Sequence, residues 1–187
     1  MPLKPWKKLR RSAELKNPWW TYIKDAVLLP SGREGEYHFV HTNGSSMVIP
    51  VQDDGRLVLV SQYRYLADRD SLEFPCGSVK NGSTHEETAQ LEMVEETGFS
   101  AGRLEFAGEF NPYNGVTDEM CRIYIGRILK PVGTRPDETE EFEQVRLTVE
   151  EFEMKIKTGY IWDGMTLAAW MLAKDKFGVN DGRRLSA

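Results

Sequence analysis

Apolar residues recur along this chain with two periods, and the change from one to the other marks out its elements. From Ser46 to Val51, and again from Leu57 to Arg64, they follow the pattern of half-buried strands, and Asp53-Asp54-Gly55 between them predicts a turn. A further strand, Leu72 to Cys76, leads directly into Gly77. Beyond it the spacing becomes helical: Ala89, Met93 and Val94 point towards a core, and Ser83 with Glu86, or Thr84 with Glu87, has the spacing of a capping box. The helix should start near residue 84 and end at Gly98, in the left-handed conformation that closes helices. Strands are expected over Arg103–Phe110, Met120–Lys130 and Phe142–Thr148, the first two separated by the Pro-, Asn- and Gly-containing loop Asn111–Glu119. Two helices close the pattern. One runs from Val149 to Thr158, capped by Thr148 and Glu151 and stopped by Gly159; the other starts at Gly164 and buries Met165, Leu167, Ala168, Met171 and Leu172. Upstream, a strand from Asp25 enters a hairpin around Ser31-Gly32 and returns through Tyr37 to His41, which predicts a small antiparallel sheet ahead of the main domain.

With 187 residues, 40% of them hydrophobic, the chain is long enough for one domain with a real core and short for two. Residues 1–44 then form an extension and 45–187 the main domain. Lys4, Lys7, Lys8, Arg10 and Arg11 make the start of the extension a basic arm, which reads as a solvated tail more than as a contact for an acidic partner. The net charge of −5 argues against a nucleic-acid partner, so an anionic substrate would have to be met by local Arg or Lys and by bound metal. Cys76 and Cys121 have no spacing that suggests a zinc site or a disulfide framework, which fits a cytoplasmic setting. The chain has no apolar run near the length of a membrane helix and no signal-peptide core, so no membrane partner is expected.

Glu92, Glu95 and Glu96 stand at i, i+3 and i+4 on the first helix, which gathers three carboxylates into one arc. Such an arc is either a solvated acidic face or a set of hard oxygen ligands for Mg²⁺ or Mn²⁺, and magnesium commonly brings substrate phosphates with it. His38, His41 and His85 are too scattered for a catalytic set, and no Ser-His-Asp or Cys-His arrangement suggests a covalent mechanism.

The stretch from Gly77 to Phe99 resembles the box of the Nudix family, G-x5-E-x7-R-E-U-x-E-E-x-G-U with U apolar. Gly77, Glu92, Met93, Glu95, Glu96, Gly98 and Phe99 fall on its fixed positions, while Ser83 replaces a Glu and Leu91 an Arg. The flanking Gln62-x-Arg64, Glu73-x-Pro75-Cys76-Gly77 and Gly159-Tyr160-Ile161-Trp162-Asp163 resemble the ADP-ribose pyrophosphatase branch. The resemblance implies an α/β/α sandwich with a mixed central sheet, plus the N-terminal antiparallel sheet. It implies that Glu92, Glu95, Glu96, Glu140 and the Cys76 backbone carbonyl hold Mg²⁺, with Mn²⁺ as the alternative, and that Glu95 can instead brace the cluster by hydrogen bonds. Glu138, or Glu140 two residues along, would take the proton from the attacking water. Arg64 and Gly77 would meet the diphosphate, Trp20 and Tyr22 would line the base pocket or a dimer interface, and Glu119 would lie near the metal. The implied reaction is metal-dependent cleavage of a nucleoside diphosphate sugar, such as ADP-ribose or GDP-mannose, to a nucleoside monophosphate and a sugar phosphate. The implied assembly is a homodimer with exchanged N-terminal strands. Hydrolysis of nucleoside triphosphates or dinucleotides, or a sensor that binds a nucleotide without cleaving it, are the competing readings, and the departures at Ser83 and Leu91 favour the sensor.

Overall fold

The computed structural model describes residues 3–133 and 142–178. Its contacts separate into two compact units, one formed by the chain up to Gly44 with Asn111–Met120, the other by Ser45–Phe110 with the chain from Cys121 onward. In the smaller unit, strands β1 (Lys7–Lys16), β2 (Thr21–Leu28) and β3 (Glu34–His41) form an antiparallel sheet in that order. The expected solvated tail is therefore a ten-residue strand. All ten β1 side chains are exposed, so no apolar alternation could announce it. Ion pairs tie it down instead: Lys8 and Arg11 both reach the buried carboxylate of Asp25, at 2.8 and 3.5 Å.

The larger unit holds β4 (Ser45–Pro50), β5 (Leu57–Arg64), β6 (Arg69–Glu73), β7 (Cys76–Ser78), α1 (His85–Thr97), β8 (Phe99–Phe110), β9 (Cys121–Pro131), β10 (Glu143–Leu147), α2 (Val149–Lys157) and α3 (Gly164–Ala173). They form a four-stranded sheet, β7-β4-β9-β8, and a three-stranded one, β10-β5-β6. The four-stranded sheet is mixed: β4 runs parallel to β9, with Met47 opposite Ile123, and antiparallel to β7, with Met47 opposite Cys76. Alternation along β4 and β9 explains the layering. Val48 and Tyr124 face Ala89 and Met93 of α1, whereas Met47, Ile49, Ile123 and Ile125 face a second core that holds Phe152 of α2 and Trp170 of α3. In that core Phe152 packs on both Phe74 and Trp170, with ring centroids 5.1 and 4.9 Å apart. A sheet covered on both faces needs continuous burial, and every β4 residue is buried.

The expected strand Leu72–Cys76 is broken. Residues up to Glu73 pair with β5, residues from Cys76 pair with β4, and Pro75, which has no N–H, sits at the change of sheet. Its carbonyl accepts from Val48 N at 2.9 Å. β8 also begins at Phe99, four residues ahead of the expected Arg103, because Gly98 turns the chain straight from helix to strand. Among the described residues no helix is long and apolar enough to cross a membrane.

Candidate active site

Helix α1 is capped by Thr84, whose side chain accepts from Glu87 N while the Glu87 carboxylate accepts from Thr84 N at 2.8 Å. Of the two candidate boxes, Thr84–Glu87 is the one that forms. Gly98 ends the helix at φ 68°, and its N–H donates to the Val94 carbonyl. These two ends fix the rotation of the helix and so the direction of its acidic arc. That arc is not a solvated face: Glu96 is only 5% exposed, and Glu92 and Glu95 are half-buried. Gly77 shows where the arc points. A Cβ built on Gly77 would lie 1.9 Å from Glu92 Oε1 and 2.1 Å from its Cδ, so the carboxylate occupies the space that a side chain would take.

Cys76 brings the same segment against the helix from the other direction. Its thiol is pushed well up, first by contact with the Cys121 thiol, then by burial, and then by the charges of Glu96 and Glu92. Neither cysteine is in a disulfide. They stand on β7 and β9, on either side of β4. Two strand spacings are about 9.5 Å, beyond the ~7 Å between Cα atoms that a disulfide can span.

At the end of β5, Arg64 forms a two-pronged pair with Glu73: Nε donates to Oε1 at 2.8 Å and Nη2 donates to Oε2. Glu73 is 3% exposed. The guanidinium proton is held above its usual pKa, first by this bond, against the effect of burial, and then by the charges of Glu73, Asp163 and Glu96. Arg64 therefore lies within the field of the box carboxylate. Asp163 also caps α3, accepting from Thr166 N at 2.7 Å, and Thr166 Oγ1 accepts from Phe74 N at 3.2 Å. Glu73 and Asp163 are members of the flanking motifs to which the sequence alone assigns no task. Their signal was a carboxylate placed on the strand or turn beside a predicted phosphate-binding arginine.

The structure thus gathers Arg64, Cys76, Gly77, Glu92 and Glu96 in the larger unit. Glu138 and Glu140 lie outside the described residues. Trp20, Tyr22 and Glu119 belong to the smaller unit. There Asn17 Oδ1 accepts from the backbone N–H of Trp19 and Trp20, both rings stay exposed, and the Tyr22 hydroxyl lies 2.7 Å from His38 Nδ1. A cavity of about 320 Å³ in this unit is lined by Tyr37, Phe39 and the loop 111–118, not by Trp20 or Tyr22. The other histidines are partnered as well, His41 with Asp118 at 2.7 Å and His85 with Ser46 Oγ at 3.0 Å. Of the two departures from the box, Leu91 is 42% exposed on α1, and Ser83 N donates to the Lys80 carbonyl in the turn before the cap.

The NUDIX domain profile matches residues 41–169. The chain belongs to the Nudix family. It is 31% identical over 147 residues to the methanol dehydrogenase activator of Bacillus methanolicus, covering 78% of this chain and 80% of that protein. It is 29% identical over 150 residues to the ADP-ribose pyrophosphatase of Bacillus subtilis, covering 79% and 80%. A crystal structure of an ADP compounds hydrolase superposes with a TM-score of 0.84 at 22% identity, covering 95% of this chain and 97% of that one, and so shares the fold. Nudix hydrolases generally use divalent metals. Among the described residues no group of three or more His, Cys, Asp or Glu side chains already converges on one point. The residues present nonetheless fit such an ion. Carboxylates and a main-chain carbonyl are hard oxygen donors, and Gly77 leaves open the space in which the Glu92 carboxylate meets the Cys76–Gly77 backbone.

Proposed function

We propose that this Nudix chain is a divalent-metal-dependent hydrolase that adds water across the diphosphate of a nucleoside diphosphate sugar, ADP-ribose or a close analogue. The products are a nucleoside monophosphate and a sugar phosphate. The observation that carries this reading is the seating of the Glu92 carboxylate on side-chain-free Gly77, beside buried Glu96 and within reach of the Arg64 field. Glu92, Glu95, Glu96, Glu140 and the Cys76 carbonyl are the ligand set, and Mg²⁺ is the metal. Held by these residues, Mg²⁺ would supply positive charge to the diphosphate and help to activate water. Glu138, or Glu140 in its place, takes the proton of the attacking water; such a base typically contributes ~10²–10⁴-fold. Arg64 donates to the diphosphate oxygens, with Gly77 opening the loop they approach. Trp20 and Tyr22 serve the base or a homodimer interface, and Glu119 is a further substrate-binding candidate. Residues 1–44 act as the extension exchanged in that homodimer, residues 45–187 as the hydrolase domain, and the protein works in the cytoplasm on a small molecule rather than on nucleic acid or membrane.

The test is product release from ADP-ribose, GDP-mannose, UDP-glucose, dinucleotides and nucleoside triphosphates, with Mg²⁺, Mn²⁺ or EDTA. Release of a nucleoside monophosphate from a diphosphate sugar, abolished by EDTA, is expected. Tight binding without release from any of them overturns hydrolysis in favour of a nucleotide sensor.

A further inference from the structure

Arg64 is the last residue of β5, and in the β5–β6 pairing it stands opposite Arg69, with its own side chain about half exposed. An arginine in that position would ordinarily sample many rotamers. Here Nε and Nη2 are both bound by Glu73, a carboxylate buried at the end of β6. Burying a carboxylate to pair it with a half-exposed arginine is a poor way to gain stability, since packed apolar residues do as well. What the arrangement does provide is direction. A guanidinium is flat and has donors on two edges; one edge is taken by Glu73, so the outward edge, with the Nη1 protons, is held at a fixed angle for a second bidentate partner. Diphosphate oxygens suit that geometry.

The surrounding contacts serve the same end. Trp162 Nε1 donates to the Asp70 carbonyl at 3.1 Å, and the guanidinium of Arg69 lies 3.9 Å from the centre of the Trp162 ring, so the turn before α3 is docked on the β5–β6 pair. Phe74 N, next in sequence to Glu73, donates to Thr166 of α3. Glu73 is thus held from both sides, while three residues on the chain supplies the Cys76 carbonyl.

We propose that Glu73 is a positioning residue for substrate: it fixes the outward edge of the Arg64 guanidinium towards the diphosphate and acts on the substrate only through Arg64. This rests on the reading above, in which the ligand is a nucleoside diphosphate and Arg64 meets its phosphates. The experiment is a double-mutant cycle of Glu73→Gln and Arg64→Ala. It is read as KM and kcat for ADP-ribose with Mg²⁺ and, independently of turnover, as the Kd for ADP-ribose in EDTA. Loss of one charge-assisted fork should raise KM and Kd about tenfold in Glu73→Gln while kcat changes far less. On the Arg64→Ala background the same substitution should then change neither constant by more than about twofold. If Glu73→Gln does not fold, Glu73→Asp, which keeps the charge but draws the carboxylate back by one methylene, replaces it in the cycle. Undiminished effects on the Arg64→Ala background, an unaltered KM and Kd, or a loss confined to kcat would overturn the role of Glu73. A wild-type protein that binds ADP-ribose without cleaving it would overturn only the proposed reaction. A wild type that neither binds nor cleaves it would overturn both.

Discussion

Gly77 has no side chain where Glu92 needs room, and this contact seats β7 against the acidic helix. The obstruction that an alanine would introduce is a carboxylate at the end of a flexible side chain, not a piece of backbone, so the fold can accommodate it by swinging Glu92 aside. Stability and activity should therefore separate at this position. Gly77→Ala is expected to change the unfolding free energy by less than about 1 kcal/mol, as single changes without a trapped clash do. A displacement of the carboxylate by an ångström or more should nevertheless lower kcat/KM by about 100-fold or more. Denaturant unfolding and steady-state rates on the same preparation check both halves; equal losses in the two would mean that Gly77 is merely structural.

At the scale of an element, α1 owes its start to Thr84 rather than to the neighbouring Ser83, and the two can be told apart. Thr84→Ala should cost about 1 kcal/mol, the usual worth of an N-cap, whereas Ser83→Ala should cost almost nothing. The box also makes the helix start sensitive to acid. The Glu87 carboxyl is held below its usual range, first by the backbone N–H of Thr84 and then by its hydroxyl. A depressed carboxyl contributes its stabilisation above the ordinary carboxylate pKa and loses it as the pH falls through the lowered one. Glu87→Ala should accordingly be less stable than wild type at neutral pH, and the difference should close in acid; a difference that persists there would count against the box. Much of this element was legible in the sequence, because caps, glycine stops and helical spacing are local signals that no distant partner alters. β1 was not legible, since its exposed residues are held by the buried Asp25 in the next strand, and ion pairs leave no periodic trace. The break at Pro75 lies in a stretch where Leu72, Phe74 and Cys76 alternate as one strand would, and the change of partner from β5 to β4 reveals it. Similarly, the acidic arc was visible, but its burial against Gly77, fifteen residues upstream of Glu92, depended on the tertiary fold.

For the whole molecule, the proposed metal site sets function against stability. Glu92, Glu95 and Glu96 share one arc of α1, Glu96 is buried, and the charge of Arg64 reaches it. Arg64 is itself shared with Glu73 and lies in the field of Asp163. A divalent ion bound at the proposed site would add positive charge there, and a ligand that binds only the folded state stabilises it by mass action, about 2.7 kcal/mol at a hundred times its Kd. In a chain of this size that corresponds to a rise in Tm on the order of 5–10 °C. Glu96→Gln removes one charge and keeps the volume. It should therefore melt at or above wild type in EDTA, lose most of the rise in Tm that Mg²⁺ gives the wild type, and lose metal-dependent turnover. Thermal unfolding of both proteins with and without Mg²⁺ decides the matter. A Glu96→Gln protein that is as strongly stabilised by Mg²⁺ as the wild type would place the ion elsewhere in the molecule. One that melts well below wild type in EDTA would show that the Glu96 carboxylate is chiefly a structural partner, whatever its effect on the reaction.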